Sequence, residues 1–208
     1  MSTNMNLHNT DVKVEVGQHK DELIEKYHDI NVDNDWWEYT YGEFKLDMLI
    51  KGITVNNINF SGFYSQGDGA SFTGRIDMIQ FLKVHNLEQE YMAATFFAGQ
   101  GELWGEIGRK THRYAHENSV DVNLIEDTYN DYEENSTRHQ VYETMFKVLE
   151  LEWKDLNEQV NKICRGYMQD LYRQLRDEYE YLTSKEVIWE TIVANDLNDL
   201  PQYNLLTK

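Results

Sequence analysis

The sequence predicts an α+β fold, with an antiparallel sheet of about four strands, helices packed on one face of that sheet, and a long C-terminal helical region. Stretches rich in β-branched and aromatic residues occur in two adjacent pairs. Stretches with apolar residues at helical spacing precede, separate and follow those pairs. This order of elements is typical of an antiparallel sheet with its helices on one side.

The first half of the chain supplies one helix and one pair of strands. Residues 35–52 carry aromatic and aliphatic side chains near helical spacing and end in glycine, which predicts a helix that stops there. Residues 53–64 are rich in β-branched and aromatic residues, and residues 70–76 alternate in polarity. We therefore expect two strands, joined by a turn at residues 65–69.

The second half repeats this order and then becomes helical. Residues 78–97 predict one helix, which is ended by the glycines that follow it. Residues 103–113 and 119–125 predict the second pair of strands. Beyond an acidic stretch the chain is predicted to be helical, with an apolar face that persists for roughly six turns over residues 160–182.

Chain length and proline content predict one main domain. A chain of 208 residues can bury roughly 70% of its unfolded surface. The single proline, Pro201, lies near the end, so no proline-rich linker divides the chain. We expect residues 31–208 to form a single α+β domain. Residues 1–30 alternate only weakly in polar surroundings and are predicted to be a flexible N-terminal arm.

Composition limits the compartment and the partners. Cys164 is the only cysteine, which excludes an intramolecular disulfide. The polar N-terminus and the lack of a long apolar run predict a cytoplasmic protein that does not bind membranes. The formal net charge of -18 repels phosphate backbones, so nucleic acid is a poor partner unless a local basic site overrides the field.

The most unusual local sequence is Ser61–Phe72, where three glycines occur within eight residues. Ser65, Gln66 and Asp68 supply small polar groups at the turn, and they are candidate ligand-binding residues because glycine permits close backbone approach. The alternative interpretation is a tight structural hairpin. A phosphate-binding P-loop does not fit, since no Gly-Lys-Ser/Thr follows, and the Rossmann spacing is also absent.

A second unusual stretch, residues 109–117, concentrates basic residues within an acidic chain. A metal-independent ribonuclease needs a base, an acid and a cation on the phosphate. The residues here that could fill those roles are His116, Arg113, Tyr114 and Glu117. Further candidate binding residues are Arg75, Arg109 and His112. The alternative is a solvated strand whose charges pair with surrounding carboxylates.

Metal and cofactor sites are not expected from the sequence. It contains no His-Glu-x-x-His motif, no EF-hand loop and no paired Glu-x-x-His motifs. His112 and His116 are four residues apart, a spacing that converges on a helix, whereas these residues are predicted to lie on a strand and a turn.

An acidic band at residues 126–158 holds ten acidic residues against three basic ones. Such a band is typical of a solvated helix face. Together with the global charge, it could also imitate the phosphate pattern of nucleic acid and occupy a basic groove on a partner protein.

Three motifs resemble a family of small bacteriophage-encoded proteins that are often labelled antitoxins of toxin–antitoxin systems. They are Ile58–Ala70, Arg113–His116, and Arg173–Leu175 followed by Glu178–Ser184; the Trp36-Trp37 helix is similar too. The resemblance covers roughly residues 35–195. It implies a phage accessory protein made in the cytoplasm of an infected bacterium, and it brings no established catalytic residues.

Within that setting we expect a protein that counters host defence, or modulates a host factor, by stoichiometric binding. Its expected partner is a host protein that is basic or handles nucleic acid. The alternatives are a ribonuclease acting on a small RNA, with the region of His116 as its active site beside the Ser65–Gly69 turn, and an antitoxin that sequesters a toxin. The sequence leaves open whether the protein is an enzyme and what its oligomeric state is.

Overall fold

The computed structural model describes residues 18–111, 114–127 and 136–198. The chain divides into two compact units. The larger unit is Tyr39–Leu175, and the smaller one combines the residues up to Glu38 with those from Arg176 onward. Within the described ranges, no helix has both the length and the apolar character needed to cross a membrane.

The larger unit is built on a four-stranded antiparallel sheet with the strand order β1-β2-β3-β4. Its strands are β1 (Ile53–Ser61), β2 (Gly69–Ile76), β3 (Leu103–Arg109) and β4 (Val120–Glu126). The predicted α+β class and strand number are confirmed. The strand predicted at residues 53–64 is shorter, because the backbone N–H groups of Tyr64 and Ser65 bond to Asp68 instead of a neighbouring strand.

Helices surround this sheet in the chain order that the sequence predicts. They are α2 (Glu38–Ile50), α3 (Met78–Val84), α4 (Met92–Gly99) and α5 (Thr137–Leu182). The prediction of one helix over residues 78–97 was wrong, because the chain turns between α3 and α4. Asn86 adopts a left-handed conformation with φ 57°, and the N–H of Leu87 bonds back to the carbonyl of Leu82.

One face of the sheet is covered by helices and forms the core. On β2, Phe72 and Ile76 are fully buried, and Phe72 lies 5.5 Å from the ring of Phe44 in α2. The alternate residue Arg75 is exposed. Residues of α3 and α4 contact β3 on the same sheet. The period of two along a strand therefore separates an apolar, helix-covered face from a polar one.

The long helix α5 also closes one edge of the sheet. The side-chain amide of Asn161 pairs with the backbone of Val122 in β4. Its Oδ1 accepts the Val122 N–H at 3.0 Å, and its Nδ2 donates to the Val122 carbonyl oxygen at 2.9 Å. One side chain thus supplies the two hydrogen bonds that a further strand would make to this residue.

The smaller unit packs helical residues 18–26, here α1, against α6 (Lys185–Ala194). Its core contains Leu23, Ile24, Ile188 and Ile192. The arm predicted at residues 1–30 differs from this, since its described part is mostly helical and two of its side chains are buried. Weak alternation did not reveal that helix, because within residues 18–26 only Leu23 and Ile24 are buried, while Tyr27 and Ile30, which also pack against this core, lie beyond its end. Residues 1–17 lie outside the described ranges.

We predict that Asn161→Leu lowers the free energy of unfolding by about 1–3 kcal/mol, because it leaves the N–H and C=O of Val122 without those partners. Urea denaturation followed by circular dichroism measures the change. The matched control is Lys162→Ala, an exposed position on the next residue of the same helix, which should stay within about 0.5 kcal/mol of wild type. Equal stability of the two variants would contradict the edge-closing role of Asn161.

Candidate functional site

The turn between β1 and β2 is organised by Asp68. Its Oδ2 accepts the backbone N–H groups of Tyr64 at 3.0 Å and Ser65 at 2.7 Å. Gly67 takes φ 95°, a conformation that a side chain would strain. Asp68, predicted as a binding residue, is therefore engaged in building the turn, while the side chains of Ser65 and Gln66 are exposed at its tip.

This turn lies directly against the loop that carries His116. A Cβ placed on Gly69 would come within 2.4 Å of the Cβ of His116, and one on Gly67 within 3.4 Å of the ring of Tyr114. The rings of Tyr114 and His116 stack with centroids 5.6 Å apart. The two stretches that the sequence analysis singled out are thus brought together, because glycine lets their backbones approach.

His116 begins the 3₁₀ turn Glu117–Ser119, in which its side chain acts as a cap. Its Nδ1 accepts the backbone N–H of Asn118 at 3.1 Å, and its carbonyl oxygen accepts the N–H and hydroxyl of Ser119. A neutral imidazole with an accepting Nδ1 carries its proton on Nε2. In this arrangement Nε2 can donate a hydrogen bond, but it has no lone pair with which to take a proton from a hydroxyl.

The other predicted catalytic residues are only partly assembled. Glu117 Oε1 is near the amide nitrogens of Asn118 and Gln169, at 3.3 and 3.4 Å. Tyr114 is 40% exposed, and its carbonyl oxygen accepts a hydrogen bond from Arg109. Arg113 and His112 lie outside the described residues. His116, Tyr114 and Glu117 therefore share one loop, but they show no base poised beside an acid.

Arg109 and Arg75 lie on different parts of the sheet. Arg109 Nη2 donates to the Tyr114 carbonyl oxygen at 3.1 Å, and Nη1 donates to Asn59 Oδ1 at 3.3 Å. Arg75 stacks over the ring of Trp104 at 5.0 Å. Arg109 thus ties β3 to β1 and to the loop that carries His116, while Arg75 lies beside Trp104.

A shallow cleft of about 470 Å³ opens beside Arg109. Its other lining residues are Asn57, Ile58, Asn59 and Thr73. Sequence reasoning missed these residues. A signal was present, since three asparagines in four positions of a strand are unusual for a residue type that strands disfavour.

The acidic band at residues 126–158 is not a purely solvated surface. The carboxylate of Glu152 accepts the N–H groups of Ala93 and Ala94 at the start of α4, at 3.3 and 3.1 Å. Asp155 accepts the hydroxyl of Tyr91 at 2.5 Å, and burial together with this carboxylate raises the pKa of that tyrosine. Two members of the band therefore stabilise α4. Residues 128–135 lie outside the described residues.

The smaller unit has the higher density of negative charge. Its described residues contain thirteen acidic side chains against four basic ones, and all the acidic ones except Glu178 are exposed. The described part of the larger unit, almost three times as long, contains eighteen acidic and twelve basic residues. Within the described residues, the negative charge is thus concentrated on the smaller unit.

The described residues contain neither a cluster of metal ligands nor a reactive thiol. Within the described ranges, no three His, Cys, Asp or Glu side chains are grouped so that they could hold a metal ion. Cys164 is fully buried in α5, and burial raises the pKa of its thiol to about 12. A thiol with that pKa stays protonated near neutral pH and is a poor nucleophile.

Comparison with known proteins gives a family match and no functional relative. The model of a family described as Domain of unknown function (DUF8835) matches residues 36–185, well over half of the chain. The chain belongs to this family. No curated protein and no solved structure matches it. The DUF8835 region contains the whole sheet, the cleft beside Arg109 and all of α5.

We predict that the single thiol of this DUF8835 protein is inert to Ellman's reagent at neutral pH while the protein is folded, because Cys164 is buried and protonated. Absorbance at the thiolate product band measures the reaction, and one equivalent should react after denaturation in urea. Rapid stoichiometric labelling of the folded protein would contradict this assignment.

Proposed function

We propose that this DUF8835 protein is a bacteriophage accessory protein that acts in the infected cell by binding a host protein stoichiometrically, thereby countering host defence or modulating a host factor. The observation that carries the proposal is the concentration of exposed carboxylates on the smaller unit. A surface of this sign favours a partner with a basic face, such as a protein that handles nucleic acid.

The cations of the smaller unit leave much of this acidity unbalanced. Lys185 pairs with Asp21 at 3.2 Å, and Arg176 pairs with Asp177 at 2.9 Å and with Glu180 at 3.8 Å. Exposed ion pairs of this kind contribute little to stability. The described part of the unit contains thirteen acidic and four basic side chains, so the carboxylates there far outnumber the lysines and arginines.

Half-buried and exposed aromatic residues accompany these carboxylates. The ring of Trp36 lies 5.8 Å from Trp37 and 5.6 Å from Tyr179, and Tyr181 is 60% exposed. Tryptophan and tyrosine are enriched among the residues that contribute most to binding at protein interfaces. The smaller unit thus combines aromatic anchors with a charged surround, which is the composition expected of a surface that binds a basic protein.

The test is a co-purification from infected cells, followed by binding kinetics with the identified partner. We expect a complex of fixed stoichiometry whose association rate falls steeply as salt concentration rises. In the variant Glu22→Gln, Glu25→Gln, Glu190→Gln, association should slow several-fold while the dissociation rate changes little, because exposed charges mainly steer encounter.

A matched control removes the same charge from the larger unit, in the variant Glu90→Gln, Glu143→Gln, Glu150→Gln, whose three positions are also exposed. This variant should associate at nearly the wild-type rate. Equal slowing of both variants would show that net charge, and not the smaller unit, drives binding. Capture of a cognate toxin in the same experiment would assign the protein to the antitoxin alternative, with the same binding surface.

A ribonuclease is the second candidate, and the contact of the Ser65–Gly69 turn with the loop of His116 is the observation that favours it. The capping role of His116 Nδ1 opposes it, because the neutral ring then has no free lone pair on Nε2. We expect purified protein to leave total host RNA intact, with or without EDTA. Cleavage by wild type that His116→Ala abolishes would establish the nuclease and overturn the expectation.

A further inference from the structure

A β-bulge in β1 places two asparagines on the polar face of the sheet. Val55 pairs with Gly74 and Asn57 with Thr73, so that Asn56 has no partner across the strands. Without this extra residue, strict alternation would direct Asn57 to the same face as Val55. The bulge instead places Asn57 beside Thr73, and Asn59 beside Ser71, on the face opposite the helices.

Close approach of the strands makes this local geometry possible. A Cβ on Gly74 would come within 2.1 Å of the Thr54 carbonyl oxygen, so only glycine fits opposite the bulge. The bulge and the three asparagines of β1 lower the stability of the sheet, and so does the glycine that must stand opposite them in β2. Bulges are frequent beside functional sites, where they redirect side chains. The polar cleft is the feature that this bulge creates.

Arg109 supplies the cleft with a cation that forms no ion pair with the described residues. Among the described residues, no carboxylate forms an ion pair with it, although the chain has 37 acidic residues. Its Nε is buried and has no hydrogen-bond partner in the described structure. Its two Nη atoms bond to neutral oxygens of Asn59 and Tyr114, which hold the guanidinium in place without cancelling its charge.

A second polar group on the same face is also without a partner. The side chain of Ser71 is fully buried, and its hydroxyl bonds to none of the described residues. Buried hydroxyls are nearly always hydrogen-bonded, and leaving one unpaired costs about 1–3 kcal/mol. Ser71 pairs across the strands with Asn59, which lines the cleft. Unpaired donors therefore occur at two neighbouring points of this face.

We propose that the cleft binds a small organic phosphate of the size of a mononucleotide, with its phosphate on Arg109. A fixed guanidinium is the side chain best suited to phosphate oxygens. Asn57, Asn59 and Thr73 carry donors and acceptors for the hydroxyls and ring nitrogens of the organic part. The cleft volume of about 470 Å³ lies within the range of small-molecule sites.

The charge distribution of the protein is compatible with an anionic ligand here. The larger unit, which contains the cleft, is the less acidic of the two. Charges farther away than about 10 Å are largely screened at physiological salt, so the nearby guanidinium dominates the local potential. This site does not depend on the proposed protein-binding role, because that role rests on carboxylates of the smaller unit.

Isothermal titration calorimetry of the full chain with AMP tests the proposal. Adenosine and inorganic phosphate are titrated separately. We expect AMP to bind, adenosine to bind at least tenfold more weakly, and phosphate to compete with AMP. Arg109→Gln should weaken AMP binding about tenfold or more. The matched control, Arg75→Gln, removes the same charge from the sheet outside the cleft and should stay within about twofold of wild type.

Arg109 also holds the loop at Tyr114, so a second variant separates ligand binding from folding. Thr73→Val keeps the shape of the side chain and removes one hydroxyl from the cleft, and it should weaken AMP binding several-fold with an unchanged circular dichroism spectrum. The proposal is overturned if AMP does not bind, if adenosine binds equally well, or if Arg75→Gln weakens binding as much as Arg109→Gln.

Discussion

Burial of one face of a four-stranded sheet is the constraint on which the rest of this structure depends. Phe72 and Ile76 can leave water only if helices cover them, and Phe44 of α2 takes part in that cover. Polar contacts then hold the helices in place. Glu152 caps α4, and Asn161 bonds to β4. The opposite face carries the polar side chains of Asn57, Asn59 and Thr73, which line the cleft.

Much of the fold could be predicted from the sequence, because strand alternation and helical spacing are local properties. The four strands and the helix before β1 were predicted to within a few residues. The break between α3 and α4 could not be predicted, because the left-handed conformation of Asn86 is set by how two short helices pack and not by a glycine or proline. The helix at residues 18–26 was missed, since its partner lies more than 150 residues away.

The candidate sites were predictable to a smaller extent. The sequence drew attention to the glycine-rich turn and to His116, and the two are in contact. Residue types alone could not show that His116 Nδ1 accepts a backbone N–H, which decides what the ring can do. The cleft was missed because strict alternation misassigns Asn57, and a bulge is visible only once strands are paired. Counting charged residues along the sequence likewise did not show that the smaller unit is the more acidic of the two.

The contact between Asn161 and β4 limits how copies of this protein can associate through the edges of their sheets. A sheet with two open edges can add neighbours on both sides, so association can propagate into a fibre. Here α5 occupies the β4 edge, and within the described structure β1 is the other edge. Edge-to-edge association through β1 would therefore stop at two molecules, which makes it self-limiting.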